Sequence, residues 1–593
     1  MKIENDNPKR LAIYVFYDRQ GVADRYNFYY LTELKKCVDH LLVICNGAVN
    51  TEGEREFRDI ADDVILRENK GFDITAYKEG IQHYGFKTLA EYDEVIVCNA
   101  TMFGPFYPFQ EMFSDMASRD VDFWGLTYFH EVPFDPFGTI VYGYIPVHVQ
   151  SFFQVYRKKL IQSREFQDHW NKLPVIHSYE EAIGYHEAIF TKKFAEMGFK
   201  WATYIDSSDL EGYTYDPVRD FPKYLLEEKR CPLLKRRSFF HDYTESMTRC
   251  GGEAIREAIE YIQTNLDYDL RLIWENIIRL ENQADFKKRM HLNRVLSTRF
   301  KKLRTNKIKK IALQLHIYYE DQANVCRRYI ESMPEGTDVY VTVPTIEKKV
   351  VVERALAGLP YKTEVRVIGN RGRDVGSLLT AVKDVILDYD LICSMHDKKV
   401  YQVKPMSLGA SWSYECFENL LKNKIFVENI IATFEEEPFL GMLEPPVPNH
   451  GPYYPTTGKG EWGNNYQLVK GWAEKLGLHV EITKNKEPVA PLGTMFWVRP
   501  KALKPLYDHD WQYNEYPQEP NQNDATLLHA IERLYSYCVQ NEGYYPAWVM
   551  SDTFARIELD NWQFMNRELQ QAEREAVGNR NHRELLEAIS QLC

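Results

Sequence analysis

Two short patterns of the same type contain residues that could do chemistry. Asn-x-Gly-x-Asp begins at Asn69 and again at Asn370, each time after a strand-like run. The residues involved are Asn69, Gly71 and Asp73 in the first half, and Asn370, Gly372 and Asp374 in the second. A glycine at a strand end lets a ligand approach the backbone, and open parallel sheets bind ligands at the carboxyl ends of their strands. The alternative is a tight turn in which the aspartate caps the next helix, and one side chain could do both.

Cationic residues cluster around the second pattern. Arg371 and Arg373 lie within it, and Lys398 and Lys399 follow the next strand-like run, which ends at His396. Charge-assisted hydrogen bonds from these groups could neutralise an anionic ligand or leaving group. The alternative for so short a lysine pair is a solvated loop.

The first half carries neutral residues at the matching place. Asn99 ends its fourth strand-like run and Thr101 follows shortly after. Cations occur further along, in a Lys-Arg-Arg run that contains Lys235 and Arg236. This run could reach a ligand bound at the strand ends of the first half from the opposite side, or it could form a surface turn.

A glutamate occupies corresponding positions in two helix-like segments. Glu187 and Glu532 each precede a glycine by eleven residues. A carboxylate with a raised pKa can accept the proton of an attacking hydroxyl group, and His186, Glu519 and Asp524 are nearby in sequence. The alternative is a glutamate on an exposed helix face, or one paired with a neighbouring cation.

The elements that must position these residues alternate between strand and helix in both halves. Such alternation predicts an α/β fold with a mainly parallel sheet in each half. Later segments also match, and the sequences align Phe152 with Phe496. Strand-like runs cover residues 10–18, 40–47, 62–68 and 92–99 in the first half, and 310–321, 337–343, 363–369 and 389–396 in the second.

The composition is that of an ordinary globular protein. The chain has 593 residues, a formal net charge of -13 and 27% charged residues. This length predicts several packed units, and the absence of an overall basic field argues against a nucleic-acid partner. The ten cysteines form no Cys-x-x-Cys pair and the first residues lack the apolar run of a signal peptide, so we expect a reducing, cytoplasmic location.

Aromatic residues are abundant, at 14% of the chain, and many stand in loop-like stretches. Amphipathic rings suit the faces of sugars, although each ring could equally pack on the core. Candidates for contact with a saccharide acceptor are Tyr454, Trp462 and Trp497.

Taken together, the sequence resembles the rhamnan synthesis protein F family of bacterial polysaccharide glycosyltransferases. The resemblance extends from about residue 10 to 555 and rests on "NKGFDITAYKEG", "CPLLKRRSFF", "NRGRDVGSLL", "YDLICSMHDKK", "LGTMFWVRPKAL" and "HAIERLY". It implies transfer of L-rhamnose or a related sugar from a dTDP-sugar to a lipid-linked polysaccharide. It also implies two GT-A-like, nucleotide-diphospho-sugar transferase domains in tandem.

The resemblance assigns roles and domains to the residues above. The two patterns, the cations and the residues after each fourth strand bind the donor, while Glu532 and Glu187 are the candidate bases of an inverting transfer. The predicted domains are residues 1–244, a helical connector at 245–308, residues 309–560 and a helical tail at 561–593.

Many enzymes of this fold hold a divalent metal with two carboxylates after the fourth strand. This sequence has Asn99 and His396 there, so we expect no metal cofactor, with Asp397 as the one acid able to bind Mg²⁺ or Mn²⁺. The missing carboxylates favour two alternatives: one active domain beside a non-catalytic saccharide-binding domain, or a glycan-binding scaffold. A glutamate in both halves opposes them.

Residues 287–310 contain eleven Lys or Arg and no Asp or Glu. Apolar residues at helix-like spacing among them predict an amphipathic basic helix that docks on the cytoplasmic face of the membrane, where the lipid-linked acceptor would be. The alternative is a connector helix that packs its apolar stripe on a domain.

Overall fold

The computed structural model describes residues 2–3, 7–252, 255–399, 405–449, 453, 457–578 and 584. The chain divides into two compact units, Met1–Asn276 and Ile277–Cys593. Each unit is built around one large sheet, in agreement with the predicted alternation of strands and helices.

The sheet of the first unit has the order β3-β2-β1-β4-β9-β6-β10, in which β9 alone is antiparallel to its neighbours. The strands of this unit are β1 (Arg10–Phe16), β2 (His40–Asn46), β3 (Asp63–Arg67), β4 (Glu94–Asn99), β5 (Met102–Phe103), β6 (Phe123–Gly125), β7 (Tyr128–Phe129), β8 (His148–Val149), β9 (Phe153–Arg157), β10 (Trp201–Thr203) and β11 (Leu234–Lys235).

Both faces of this sheet are covered, which explains why its central strands are apolar throughout. All seven residues of β1 are buried. Tyr14 and Phe16 pack in the core on one face, whereas Ile13 and Val15 pack in the core on the other. A strand buried on both faces is typical of a parallel sheet with helices on each side.

The helices of at least eight residues in the first unit are α1 (Arg25–Lys35), α2 (Thr51–Ile60), α3 (Phe72–Leu89), α4 (Phe109–Ala117), α5 (Arg164–Lys172), α6 (Ala188–Glu196), α7 (Tyr243–Cys250) and α8 (Ile255–Asn265). A further helix, α9 (Arg271–Leu280), contains the boundary between the two units.

The sheet of the second unit has the order β15-β14-β13-β16-β18-β17-β19-β12, and β18 is antiparallel to both of its neighbours. Its strands are β12 (Asn293–Leu296), β13 (Ile311–His316), β14 (Asp338–Val343), β15 (Lys362–Val367), β16 (Leu391–His396), β17 (Leu440–Glu444), β18 (Phe496–Val498) and β19 (Tyr545–Ser551).

Helices again lie between the strands of this unit. Those of at least eight residues are α10 (Ala323–Ile330), α11 (Ile346–Leu356), α12 (Ser407–Leu420), α13 (Lys424–Glu436), α14 (Tyr466–Lys475), α15 (Leu527–Asn541) and α16 (Asp552–Val577). A short helical segment, Arg373–Gly376, follows β15 and begins the connection to β16.

The two sheets share one topology apart from the added strand β12. In each, the first four strands lie in the order three, two, one, four, and an antiparallel strand comes next. The predicted α/β fold, with a mainly parallel sheet in each half, is therefore confirmed.

The register of the antiparallel strand corrects one alignment. Gln154 pairs with Val97, two residues before the end of β4, and Phe496 pairs with Ser394, two residues before the end of β16. Phe496 thus corresponds to Gln154, so aligning it with Phe152 was wrong by two residues. Two phenylalanines, Phe152 and Phe153, precede Gln154, which is why the sequence alone matched an aromatic residue to Phe496.

The predicted amphipathic helix at residues 287–310 is not formed. A helix ends at Arg289, β12 then pairs in parallel with β19, and residues 299–310 have no regular structure. The predicted helical connector at 245–308 therefore also contains a strand, β12, whose backbone pairs with the edge of the second sheet.

Carboxylates of α13 pair with several of these cations. Arg304 lies 3.1 Å from Glu435, and Lys302 lies 2.8 Å from Glu436. The basic segment is thus partly neutralised within its own unit. Among the described residues, no helix is both long and apolar enough to cross a membrane.

Candidate functional site

A cavity of about 390 Å³ opens at the carboxyl ends of β13 and β16 in the second unit. We call it the C-terminal cleft. It brings together most of the residues predicted for that half. These are Asn370, Arg373, Asp374, His396, Lys398, Lys399, Glu519 and Glu532.

The Asn-x-Gly-x-Asp turn forms one wall of this cleft in a left-handed backbone conformation. Gly372 has φ 86° and Arg373 has φ 47°. A Cβ atom on Gly372 would lie 2.7 Å from the ring of Tyr516. Only glycine fits there, and a non-glycine residue at positive φ, such as Arg373, stores about 1–3 kcal/mol of strain.

Glu532 is held at the cleft by the loop before β18. Its Oε1 accepts a hydrogen bond from the backbone N–H of Gly493 at 2.7 Å and lies 3.3 Å from the Thr494 hydroxyl. Its Oε2 lies 3.2 Å from a guanidinium nitrogen of Arg533. Because two elements fix this carboxylate, it faces the cavity in a defined orientation.

His396 connects the end of β16 to the same loop. Its Nδ1 lies 2.8 Å from the carbonyl oxygen of Asp397, and its Nε2 lies 2.6 Å from that of Gly493. Both ring nitrogens therefore face carbonyl oxygens. His396 thus contacts Gly493, the residue whose backbone N–H holds Glu532.

The cations of the cleft are held by carboxylates and rings. Arg373 forms a two-pronged ion pair with Glu519, at 2.6 and 2.9 Å. Lys398 lies 3.5 Å above the Trp412 ring, and Lys399 pairs with Asp321. These ammonium and guanidinium groups line one cavity that can accommodate an anionic group.

The matching residues of the first unit also lie at strand ends, and we call this region the N-terminal cleft. Asn99 donates a hydrogen bond to Oδ2 of Asp73 at 2.7 Å and accepts one from the Thr101 hydroxyl at 2.6 Å. Burial, and next the neighbouring Glu187, raise the pKa of Asp73 to about 6. Asn69 accepts a hydrogen bond from Asn46.

Glu187 accepts the same type of backbone hydrogen bond as Glu532. Its Oε1 accepts a hydrogen bond from the backbone N–H of Ser151 at 3.0 Å. By the strand register above, Ser151 corresponds to Gly493. The two glutamates are thus anchored to equivalent peptide units in two separate sheets.

The family comparison matches most of the chain. The model described as rhamnan synthesis protein F aligns with residues 41–544. The chain belongs to the rhamnan synthesis protein F family. Membership supports a glycosyltransferase of polysaccharide synthesis, and it bears out the resemblance seen in the sequence.

The curated and solved proteins that this family member resembles share low sequence identity with it. "Uncharacterized protein WxcX" of Xanthomonas campestris pv. campestris (strain B100) is 29% identical over 238 residues, which is 39% of this chain and 31% of that protein. The chain therefore spans about a third of that relative.

Two solved structures are similar at low identity. The glycosyltransferase GlyE of Streptococcus pneumoniae TIGR4 is 12% identical with a TM-score of 0.22, and the match covers 68% of this chain and 89% of that one. A cytidylyltransferase of Leptospira borgpetersenii serovar Hardjo-bovis is 12% identical with a TM-score of 0.22, over 44% and 100% of the two chains.

Several cleft residues of this family member were missed by sequence reasoning. His316 and His529 both line the cavity, and burial lowers the pKa of each, that of His316 to about 4. His529 precedes Glu532 by one helical turn, a spacing that could have revealed it. His316 is the last residue of the buried strand β13, and a polar residue at the end of an apolar run is the signal that could have revealed it.

A divalent metal does not fit the donor set of the C-terminal cleft. Both carboxylate oxygens of Asp397 accept backbone N–H groups, from Tyr318 at 3.0 Å and Tyr319 at 2.5 Å. Among the described residues, no group of three or more His, Cys, Asp or Glu is arranged to bind a metal ion. Asp397 fastens the loop after β13.

Some predicted site residues have other roles. The guanidinium of Arg371 donates to the carbonyl oxygens of Asn514 and Tyr516, and so braces the loop that faces Gly372. Asp524 accepts hydrogen bonds from Asn464 and Asn465, which fastens a loop. His186 is buried against His169 in the core of the first unit.

The predicted acceptor contacts are corrected in two places. Trp497 is fully buried and donates to the carbonyl oxygen of Leu420, while Trp462 is buried and stacks on Tyr537. Both indoles pack in the core because their rings face apolar neighbours, so neither presents a face to a sugar. Tyr454 lies outside the described residues.

Proposed function

We propose that this chain is an inverting glycosyltransferase that moves L-rhamnose or a related sugar from a dTDP-sugar to a lipid-linked polysaccharide. The C-terminal cleft is its donor site in this proposal. One observation carries it: an anchored glutamate, Glu532, shares a cavity with Lys398, Lys399 and Arg373. The identity of the sugar rests on the description of the family alone.

The geometry suits the chemistry of direct displacement. An acceptor hydroxyl oxygen forms a bond to the anomeric carbon while the bond from that carbon to the diphosphate oxygen breaks. Glu532 takes the hydroxyl proton, and the nucleoside diphosphate leaves with the electron pair. The cations neutralise the charge that develops on the leaving group, which lowers the barrier most in a site shielded from water.

The strained turn supports the same assignment. Arg373 adopts positive φ, so its side chain leaves the constrained backbone of the turn in a defined direction. Strain of this kind is concentrated at ligand-binding positions, where it pre-organises a side chain. The acceptor is proposed to be lipid-linked, which places the reaction at the cytoplasmic face of a membrane.

Donor turnover tests the proposal. Glu187→Gln first isolates the C-terminal cleft from its counterpart, and the assay uses a dTDP-sugar with a synthetic lipid-linked acceptor. In that background Glu532→Gln should lower transfer by about 100-fold or more and leave dTDP binding nearly unchanged, since a base acts in the transition state. A chelator should leave transfer unchanged.

The matched control is Glu474→Gln in the same background, because Glu474 is an exposed glutamate of α14. It should transfer sugar as its parent does. Equal transfer by the Glu532 variant and its parent would show that another group accepts the proton, and the proposal would fail.

A further inference from the structure

The N-terminal cleft repeats the strained turn of the other half with different side chains. Gly71 has φ 74° and Phe72 has φ 57°, which matches Gly372 and Arg373. A Cβ atom on Gly71 would lie 2.1 Å from the Thr75 hydroxyl oxygen. A bulky residue at positive φ costs free energy in any fold, so two copies of this turn indicate a shared requirement at both strand ends.

The register of the strands shows which residue of the first unit corresponds to Lys398 of the second. His396 and Asn99 each end the fourth strand of their sheet, so Thr101 corresponds to Lys398. The first half therefore has a neutral side chain where the second has an ammonium group. Phe72 likewise replaces Arg373.

A separate element brings cations to that place. The strand β11 pairs antiparallel with β5, and Lys235 lies opposite Met102, the residue after Thr101. The backbone N–H of Arg236 donates to the carbonyl oxygen of Thr101 at 2.9 Å. The Lys-Arg-Arg run thus lies beside the end of the fourth strand, as the lysine pair does in the other unit.

Side-chain contacts place these cations around the anchored glutamate. The Lys235 ammonium lies 5.2 Å from the ring centroid of Phe152. Phe152 follows Ser151, whose backbone N–H holds Glu187. Arg237 lies 3.4 Å from the Tyr179 hydroxyl.

A buried histidine reports on both charges of this cluster. Burial lowers the pKa of His148, Glu187 raises it and Lys235 lowers it. Glu187 and Lys235 therefore both lie near this buried ring.

We infer that the N-terminal cleft is a second transfer site, which binds a nucleoside-diphosphate sugar through Lys235 and uses Glu187 as its base. The inference rests on the function proposed for the C-terminal cleft. In this step an acceptor hydroxyl oxygen bonds to the anomeric carbon, its proton passes to Glu187, and the carbon–oxygen bond to the diphosphate breaks. The nucleoside diphosphate keeps that electron pair, and Glu187 later releases its proton to water.

Binding stoichiometry of the full chain tests this inference. Calorimetric titration with dTDP, UDP and GDP should give two sites per chain for dTDP, or one site each for two of the nucleotides. Lys235→Met keeps the apolar stem against Phe152 and removes the charge. It should weaken one binding event by tenfold or more, and Lys398→Met should weaken the other.

Lys36→Met is the matched control, because Lys36 is an exposed lysine of the first unit that pairs with Glu33. It should retain both binding events. Circular dichroism and melting temperature must show that each variant is folded. Glu532→Gln should still turn over donor, and adding Glu187→Gln should abolish the remainder.

The outcomes separate the two proposals. A single site that Lys398→Met removes and Lys235→Met leaves would overturn this inference and keep the proposed function. A single site with the opposite response would support the N-terminal site and overturn the C-terminal one. No binding of any nucleotide would overturn both.

Discussion

At the scale of single residues, the Arg373 guanidinium of the C-terminal cleft is paired with a carboxylate before any ligand arrives. Glu519 occupies both prongs of the Arg373 guanidinium. A diphosphate must compete with that carboxylate for the same donors. Part of the affinity for the leaving group is therefore set by a residue that never needs to contact the sugar.

Glu519→Gln should tighten the binding of dTDP by about three- to tenfold, because the amide loses the charge that competes for Arg373. Titration calorimetry measures the change in Kd. Glu515→Gln is the control, since Glu515 lies 3.0 Å from His509 and has no contact with Arg373. Weaker binding in the Glu519 variant would mean that this carboxylate orients Arg373 for the ligand.

Asp73 should make the stability of the chain depend on pH. Its folded-state pKa is raised to about 6, chiefly by burial and next by Glu187, whereas the unfolded value is about 3.9. The favourable contribution of the protonated carboxyl is thus complete below about pH 4 and is lost as pH rises through about 6.

The side chain of the Asp73→Asn variant is neutral at every pH, so the variant does not lose this stability as pH rises. Its free energy of unfolding, relative to the natural chain, should rise by on the order of 2 kcal/mol between pH 4 and pH 7. Urea unfolding at both values measures the difference. A difference that stays constant would show that the pKa of Asp73 is the same in the folded and unfolded chains.

At the scale of elements, the turn after β15 is fixed by what surrounds it. Gly372→Ala adds a Cβ atom 2.7 Å from Tyr516 in a left-handed backbone. The expected loss is roughly 2–4 kcal/mol in the free energy of unfolding, from backbone strain plus overpacking.

Gly358→Ala is the matched control. Gly358 also has positive φ, at 77°, but a Cβ atom there has no neighbour within 4 Å. Its cost should be about 1 kcal/mol, from the backbone alone. Equal losses for the two variants would show that Tyr516 yields easily and that the turn is less constrained than its contacts indicate.

Elements with a strong local pattern were predictable from the sequence. The strands β1, β2, β4 and β16 are continuous apolar runs, and their ends place Asn99 and His396 where predicted. β12 was not predictable, because Arg294 and the other cations around it have the composition of a solvated surface. Its partner on β19 comes from the far end of the unit, and a local pattern contains no information about such a partner.

The candidate site was predictable to a similar extent. Asp374, Lys398 and Glu532 line one cavity, as predicted, because Asp374 and Lys398 follow parallel strands of one sheet and Glu532 lies on the helix α15 beside them. The two tryptophans were misplaced because an aromatic ring in a polar stretch can face either water or the core. That choice depends on packing partners, such as Tyr537 beneath Trp462, from another part of the chain.

At the scale of the whole molecule, two sheets that share one strand order apart from β12 carry two candidate sites whose cations come from different elements. The second builds its cation set into the strand end, and the first takes its set from β11. The predicted division into four domains, the cytoplasmic location and the contact with a membrane remain predictions. The segment proposed for the membrane contact, residues 287–310, contains the edge strand β12 and, after it, cations that pair with α13.

The pairing of β12 with β19 has a consequence for how the chain is made. Residue Asn293 pairs with Trp548, so the edge strand waits for a partner about 250 residues away. At a synthesis rate of roughly 5–20 residues per second, the ribosome takes about 13–50 s to deliver it. During that interval the first unit can already be complete, while the second exposes an unfinished sheet margin. Chaperone demand during translation should therefore concentrate in the second half, and chains terminated before residue 545 should accumulate as aggregates.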